Sequence, residues 1–368
     1  MMIFGSPRRY IQGPDARLKL GEELARLGRT AVLLTDTFVG DLIGDDAEKS
    51  CAAAGIALER VTFGGEITRA EIDRLEALCR QKQPDIVIAA GGGKTIDTGK
   101  SLGSRLNARI VTIPTVASND SPTSHIIVVY DENHKLVGVD KLNGNPDLVL
   151  VDTAIIAKAP PILLSAGIGD ALVKRFEVEQ CVNVSGTNMF GGRPPRAALA
   201  LARACYDTIR EFSVAALQAV KRGESDEALE RVVEASVLMS GLAFESGGLS
   251  ISHAMTRGLS AVKGPASALH GLQVAYGLLV QLQLENRPAD FMAEMRAFYR
   301  ATGLPVRLAD LGFSGGDEDL ALIADLTAQA PHMKHFERPL SAADLRAAIE
   351  VVEAMGNHDA NESARLSA

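Results

Sequence analysis

The sequence predicts a chain of α/β plus all-α class: an N-terminal parallel-sheet domain over residues 1–159, then a helical domain over 160–368. Three observations carry this. Short β-branched runs alternate with amphipathic segments through the first half, and the runs are continuously apolar, as strands covered on both faces are. From Pro160 onward those runs stop and long helical patterns replace them. The length, 368 residues, exceeds what one ordinary core organises.

In chain order, the predicted strands are Thr30–Asp36, Ala57–Phe63, Asp85–Ala90, Arg109–Ile113, Ile126–Tyr130 and Leu148–Val151. Amphipathic spacing over Ile72–Lys82 and the segment Thr95–Leu102 read as intervening helices. Pro160-Pro161 interrupts strand and helix alike and marks the boundary. Beyond it the clearest helices are Arg196–Ala219, Asp226–Ser246 and Gly271–Leu284. The small, polar tail after Met355 is expected to fray.

Composition narrows the function classes. The formal charge of -8 and the lack of a Lys/Arg run disfavour a nucleic-acid partner. The N-terminal MMIFGSPRRYIQG lacks the apolar centre of a secretion signal, and no apolar stretch is long enough to cross a membrane. Cys51, Cys79, Cys181 and Cys205 contain no CxxC pair and read as buried free thiols. A cytoplasmic location is the expectation.

Three constellations stand out. Ala89–Lys94 (AAGGGK) lies between a strand and a helix, where glycines let backbone amides approach a diphosphate and the helix N-terminus adds its dipole. A plain glycine turn is the structural alternative. The spacing is not GxGxxG, and the acid suited to a ribose, Asp36, precedes the loop instead of following it by about 20 residues; it also reads as a turn aspartate. Pro114–Ser124 (PTVASNDSPTS) is a hydroxyl-rich loop at a strand end with one carboxylate, Asp120, and suits a substrate hydroxyl or an ordinary loop equally. Finally, Asp170 at an expected helix start, His253 in a small-residue apolar helix, and His270 where a Gly-Pro loop meets a helix make two imidazoles and a carboxylate. Three such ligands leave a fourth position open, as in catalytic zinc sites, and also suit iron. An N-cap aspartate and satisfied core histidines explain the same residues. Sequence spacing does not show that the three converge.

The motifs GGGKTIDT (91–98), PTVASNDSPTS, NPDLVLVDT (145–153), AGIGDAL (166–172) and FESGGL (244–249) resemble those of the iron-containing (group III) alcohol dehydrogenase superfamily, in its glycerol dehydrogenase branch. The resemblance runs from Ser6-Pro7 to about Pro288, and more loosely to the end. It implies a Rossmann-like N-terminal domain, a helical C-terminal domain and an active site in the cleft between them. It implies NAD as cofactor, with Asp36 at the adenosine ribose and Gly92, Gly93, Lys94, Asp97, Thr115, Ser118, Ser124, Ile126 and Tyr130 lining the dinucleotide site. It further implies that Asp120 contacts substrate, that Asp170, His253 and His270 hold one divalent metal, most often zinc, and that the chain forms a homo-oligomer, often an octamer. The implied reaction is metal-assisted hydride transfer from a secondary hydroxyl of a small polyol, glycerol to dihydroxyacetone first among them.

The sequence departs from this pattern beside two ligands. His253-Ala254-Met255-Thr256-Arg257-Gly258-Leu259 replaces the family's H-A-x-H-N-G-L, and His270-Gly271-Leu272 replaces H-G-E. Substrate identity therefore stays open. Arg257, four residues beyond His253, would favour a hydroxy acid if it shares the site, or stands in solvent at a helix end. A dehydroquinate-synthase-like NAD/zinc lyase would recruit Lys174, Arg175 and Arg257; a non-catalytic NAD-binding module would need no metal.

Overall fold

The computed structural model describes residues 1–132 and 135–367, with side chains through Asp359. The strands are β1 (Tyr10–Gly13), β2 (Thr30–Thr35), β3 (Ala57–Thr62), β4 (Ile86–Gly91), β5 (Arg109–Pro114), β6 (Ile126–Tyr130), β7 (Leu136–Lys141) and β8 (Leu148–Asp152). Six of them form a parallel sheet in the order β1-β8-β5-β4-β2-β3. Alternate residues of the central strands fill two cores: Leu33, Ile88, Val111 and Leu150 on one face, Val32, Leu34 and Val87 on the other. Both faces being covered accounts for the uninterrupted apolar runs.

Two strand assignments differ from the sequence reading. The run Ile126–Tyr130 does not enter the parallel sheet; it pairs antiparallel with β7 in a separate two-stranded sheet. The sixth parallel strand is β1, which lies beside β8 with Tyr10 opposite Val149. At four half-buried residues, β1 carries no apolar run by which to recognise it.

The chain divides into two compact units: Gly5–Pro161 with Gln218–Leu242, and Met1–Phe4 with Ile162–Leu217 and Ala243–Ala368. The return of 218–242 to the sheet unit is absent from the sequence boundary at 159/160. The segment buries Leu229, Val232 and Val233, and polar contacts tie it to the sheet. Gln12 Nε2 donates to Glu230 Oε2 at 2.6 Å and to the Glu230 carbonyl at 2.9 Å, and Ser225 Oγ donates to Thr153 Oγ1 at 2.9 Å. Nor is Asp226–Ser246 one α-helix. It is helical over Glu227–Val233, a π-helix over Glu234–Met239, and α-helical again over Ser240–Gly247.

Pro161, the last residue of the first stretch of the sheet unit, opens the helix Pro161–Leu172, a position where a missing N–H costs nothing. Asp170 lies near the end of that helix, not at its start. The C-terminal residues expected to fray instead belong to a helix, Ala342–Ser367. Arg296 Nε pairs with Asp359 at 2.7 Å and ties that helix down. All four cysteines are buried and free. Burial pushes Cys51 up to about 11 and, with the Glu177 charge, Cys181 up to about 12, so neither is a nucleophile near neutral pH. No single helix among the described residues is long and apolar enough to cross a membrane.

Candidate functional site

In the sheet unit the strand order reverses between β2 and β4: β2 leads outward to β3, and the chain then returns to place β4 on the other side of β2. Ligand crevices in open α/β sheets form at such a switch point, beyond the carboxyl ends of the strands. In the β2–β4 register Leu34 lies opposite Ala89, so Asp36 and Gly91 leave the two neighbouring strands at the same level. The helix Gly93–Leu106 starts directly after β4, with Gly92 as N-cap. Gly99 seats this helix on the sheet, since a Cβ there would lie 2.3 Å from the Ala89 Cβ. Asp36 is the N-cap of the helix Thr37–Ala53 and accepts from the Val39 N–H at 2.8 Å. Its carboxylate thus has a structural task and still stands half-exposed at the crevice.

The other expected cofactor residues divide in two. Gly92 and Gly93 open the helix, the Thr115 N–H donates to the Gly91 carbonyl at 3.2 Å, and Ser118 is half-buried in the loop after β5. Lys94 is exposed and paired with Glu66 at 2.7 Å. Asp97 points inward: one oxygen accepts from Ser121 Oγ at 2.5 Å and the other from the Val128 N–H at 2.9 Å. Lys100, fully buried, pairs with Asp97 at 2.7 Å and donates to the carbonyls of Ser121, Ser124 and Ile126. Asp97 and Lys100 therefore shape the segment that carries Ser124, Ile126 and Tyr130. Burial, followed by the Asp97 and Glu66 charges, raises the Tyr130 hydroxyl, which stays protonated.

Asp120 is buried, and Ser240 Oγ donates to its Oδ2 at 2.8 Å. The π-helix makes this possible. It leaves the Val237 carbonyl to accept from Thr123 Oγ1 at 3.0 Å, and Gly241 admits the same threonine closely. π-bulges often mark functional positions for this reason. Neither Ser240 nor Lys100 stood out in the sequence; a lone serine in an apolar helix and a lysine on an amphipathic one are commonplace.

In the helical unit the two histidines and Asp170 converge: their ligand atoms all lie within 4.8 Å of one another. Glycines explain the convergence. A Cβ on Gly271 would lie 1.9 Å from the Ala166 carbonyl and one on Gly169 would lie 2.6 Å from the Gly271 carbonyl. That crossing abuts Asp170 against His270, the first residue of the helix His270–Leu284. The same helix meets Ile251–Leu259 at Gly277, where a Cβ would lie 2.5 Å from the Ser252 carbonyl, and so brings in His253.

Around the triad lies a shell the sequence reading did not assign. Glu177, fully buried, accepts from the His253 and Ser250 N–H groups at 2.9 Å each through Oε1. Its Oε2 lies 2.5 Å from His253 Nδ1. An ionised carboxylate can only accept, so Nδ1 carries the proton and Nε2 faces Asp170 as a lone-pair donor. Lys174 Nζ donates to Asp170 Oδ1 at 2.6 Å. Asp170, Lys174 and Glu177 fall at i, i+4 and i+7, a charged stripe in an apolar stretch, and that stripe was legible.

The electrostatics follow. Burial alone would raise the Asp170 carboxyl, but Lys174, then His253 and His270, hold it well below the usual carboxylate range. Burial likewise opposes ionisation of Glu177, and the His253 and Lys174 charges outweigh it. Burial lowers His253, yet Glu177 and Asp170 leave it raised overall. His270 keeps a solvent-accessible side although protein crowds around it. The desolvation this brings, with the His253 and Lys174 charges, pushes it down to about 4. The donor set fits a tetrahedral divalent ion: ligands about 2.0–2.2 Å from zinc stand about 3.4 Å apart, and His253 Nε2 to Asp170 Oδ1 is 3.4 Å. Arg257 does not join them. It is exposed and donates to the Gln329 carbonyl at 3.0 Å, which is the solvent-facing reading of that residue.

Residues 7–153 match the family profile described as iron-containing alcohol dehydrogenase. A glycerol dehydrogenase of Thermotoga maritima is 39% identical over 95% of this chain and 96% of its own length. A glycolaldehyde reductase of Halobacterium salinarum is 37% identical over 96% of this chain and 98% of its own. The solved glycerol dehydrogenase of Schizosaccharomyces pombe superposes with a TM-score of 0.94 at 32% identity, covering 99% of this chain and 93% of that one. A parallel sheet with its glycine loop at the switch point, a convergent Asp-His-His set and full-length similarity of this order have one common account: this chain belongs to the iron-containing alcohol dehydrogenase family, whose members use NAD and a divalent metal.

Proposed function

We propose that the chain is an NAD-dependent polyol dehydrogenase that oxidises the secondary hydroxyl of glycerol or a similar vicinal diol, and in reverse reduces small hydroxycarbonyl compounds. The observation that carries the reading is the convergence of Asp170, His253 and His270, with Glu177 fixing the His253 tautomer. These three would hold the ion, zinc by preference for two imidazoles and a carboxylate. When bound, the metal supplies Lewis acidity that makes a secondary hydroxyl acidic, and NAD supplies the hydride acceptor.

The chain's own residues do the rest. Asp36 accepts the adenosine ribose hydroxyls and repels a 2′-phosphate. The Gly92–Gly93 amides and the helix dipole meet the diphosphate, and Thr115, Ser118, Ser124, Ile126 and Tyr130 line the remainder of the dinucleotide site. Asp120, held by Ser240, accepts a neighbouring substrate hydroxyl, which favours diols over simple alcohols. The same reading carries a homo-oligomer, octameric as the family resemblance implies, which light scattering measures.

One assay tests it. Chelated, metal-free protein and zinc-reloaded protein are compared with NAD on glycerol, propane-1,2-diol, propan-2-ol and 2-hydroxy acids, and with NADH on glycolaldehyde and dihydroxyacetone. Activity that disappears with metal and returns with zinc, with the diols ahead of propan-2-ol, is the expected result. Full-rate glycerol oxidation by the metal-free protein refutes the metal-dependent mechanism. A panel led by hydroxy acids reassigns the substrate.

A further inference from the structure

Lys174 follows Asp170 by one helical turn, and its side chain is 1% exposed. Nζ lies 2.6 Å from Asp170 Oδ1 and 3.3 Å from His253 Nε2. Those are two of the atoms that the metal reading assigns as ligands. The ammonium and a divalent ion thus claim the same carboxylate oxygen. A protonated amine has no lone pair to offer a metal, and two cations within a few ångströms in dry surroundings repel strongly. Yet a buried carboxylate with no cation is costly, and Lys174 is placed to be that cation. The Phe244 ring centre, 5.5 Å from Nζ, offers the ammonium a face to move toward.

We propose that Lys174 is an internal competitor of the catalytic metal: its ammonium neutralises Asp170 in the metal-free protein and withdraws from Oδ1 when a divalent ion binds. This inference rests on the metal-binding reading above and deepens it. The affinity of the chain for its metal is then set below that of its three ligands alone, and the metal-free fold keeps its ligands in place. Lys174 acts on the metal, not on the reacting atoms, so it is a positioning residue.

The test measures metal binding, not turnover. Full-length protein is stripped by chelation, and Zn²⁺ is titrated against a chromophoric chelator for the unmodified chain, Lys174→Met, Lys174→Gln and the control Lys263→Met, an exposed lysine. Lys174→Met is expected to bind Zn²⁺ at least tenfold more tightly, with a lower Tm without metal and a larger rise in Tm on adding it; Lys263→Met is expected to match the unmodified chain. Lys174→Gln takes the place of the Met variant if that variant does not fold, with the same tenfold threshold. A smaller gain, or none, while the unmodified chain binds zinc overturns the Lys174 inference and leaves the metal reading standing. Zinc uptake by the variant alone supports the inference and overturns metal dependence of the unmodified chain. Uptake by neither overturns both.

Discussion

Glu177→Gln isolates what the buried carboxylate does for the metal centre. The two side chains have nearly the same shape, and the Gln carbonyl can keep both backbone N–H groups that Glu177 Oε1 now accepts, each at 2.9 Å. What changes is the group facing His253 Nδ1, now a carboxylate oxygen at 2.5 Å. An amide NH₂ there donates, so Nδ1 must accept, and the imidazole proton moves to Nε2, the nitrogen aimed at Asp170. The variant loses one charge-assisted hydrogen bond, worth about 1.5–3 kcal/mol, and must reverse the tautomer to bind a metal. That figure agrees with the 10–100-fold loss of metal affinity typical of such orienting carboxylates, about 1.4–2.7 kcal/mol. Zinc Kd by chelator competition reads this directly, and circular dichroism checks the fold. The Km for NAD should not move. A zinc Kd within threefold of the unmodified chain would show that the 2.5 Å contact does not set the tautomer.

The other predictions address the remaining parts of the site. Zinc affinity should fall with pH below the raised pKa of His253, because a second proton, on Nε2, then competes with the metal, whereas His270, pushed down to about 4, gains none until well below neutrality. The slope should approach tenfold per unit where His253 is protonated and His270 is not; a two-proton slope there would contradict this assignment. Asp36→Gly should cut the preference for NAD over NADP in kcat/KM at least tenfold, while losing only a few tenths of a kcal/mol of N-cap stability; an unchanged ratio removes Asp36 from the ribose site. Gly271→Ala puts a Cβ 1.9 Å from the Ala166 carbonyl. That overpacking should cost about 1–3 kcal/mol in thermal unfolding and weaken zinc binding together with it, and a variant with unchanged Tm would refute the tight crossing.

The sequence by itself determined the parallel sheet, because strands covered on both faces must be apolar on successive residues, and the centres of β2, β4, β5 and β8 carry such runs. It marked the glycine loop before a helix, where backbone must approach closely, and the family motifs named the ligand types. It left β1 unseen, since a short edge strand is held by its neighbour's backbone and not by an apolar pattern of its own. The return of 218–242 to the sheet unit was also hidden, because its buried apolar face, Leu229, Val232 and Val233, reads like that of any helix, and the contacts that place it, such as Gln12 to Glu230, lie far apart in the chain. Asp170, His253 and His270 were visible as chemistry and not as a site. Their meeting depends on helix crossings at Gly169, Gly271 and Gly277, where only the absence of a side chain lets backbones touch. The roles of Lys174 and Glu177 depended on tertiary structure for the same reason. A helical stripe fixes which residues share a face, but only packing decides that His253 lies against that face, and with it which nitrogen of His253 is free for a metal.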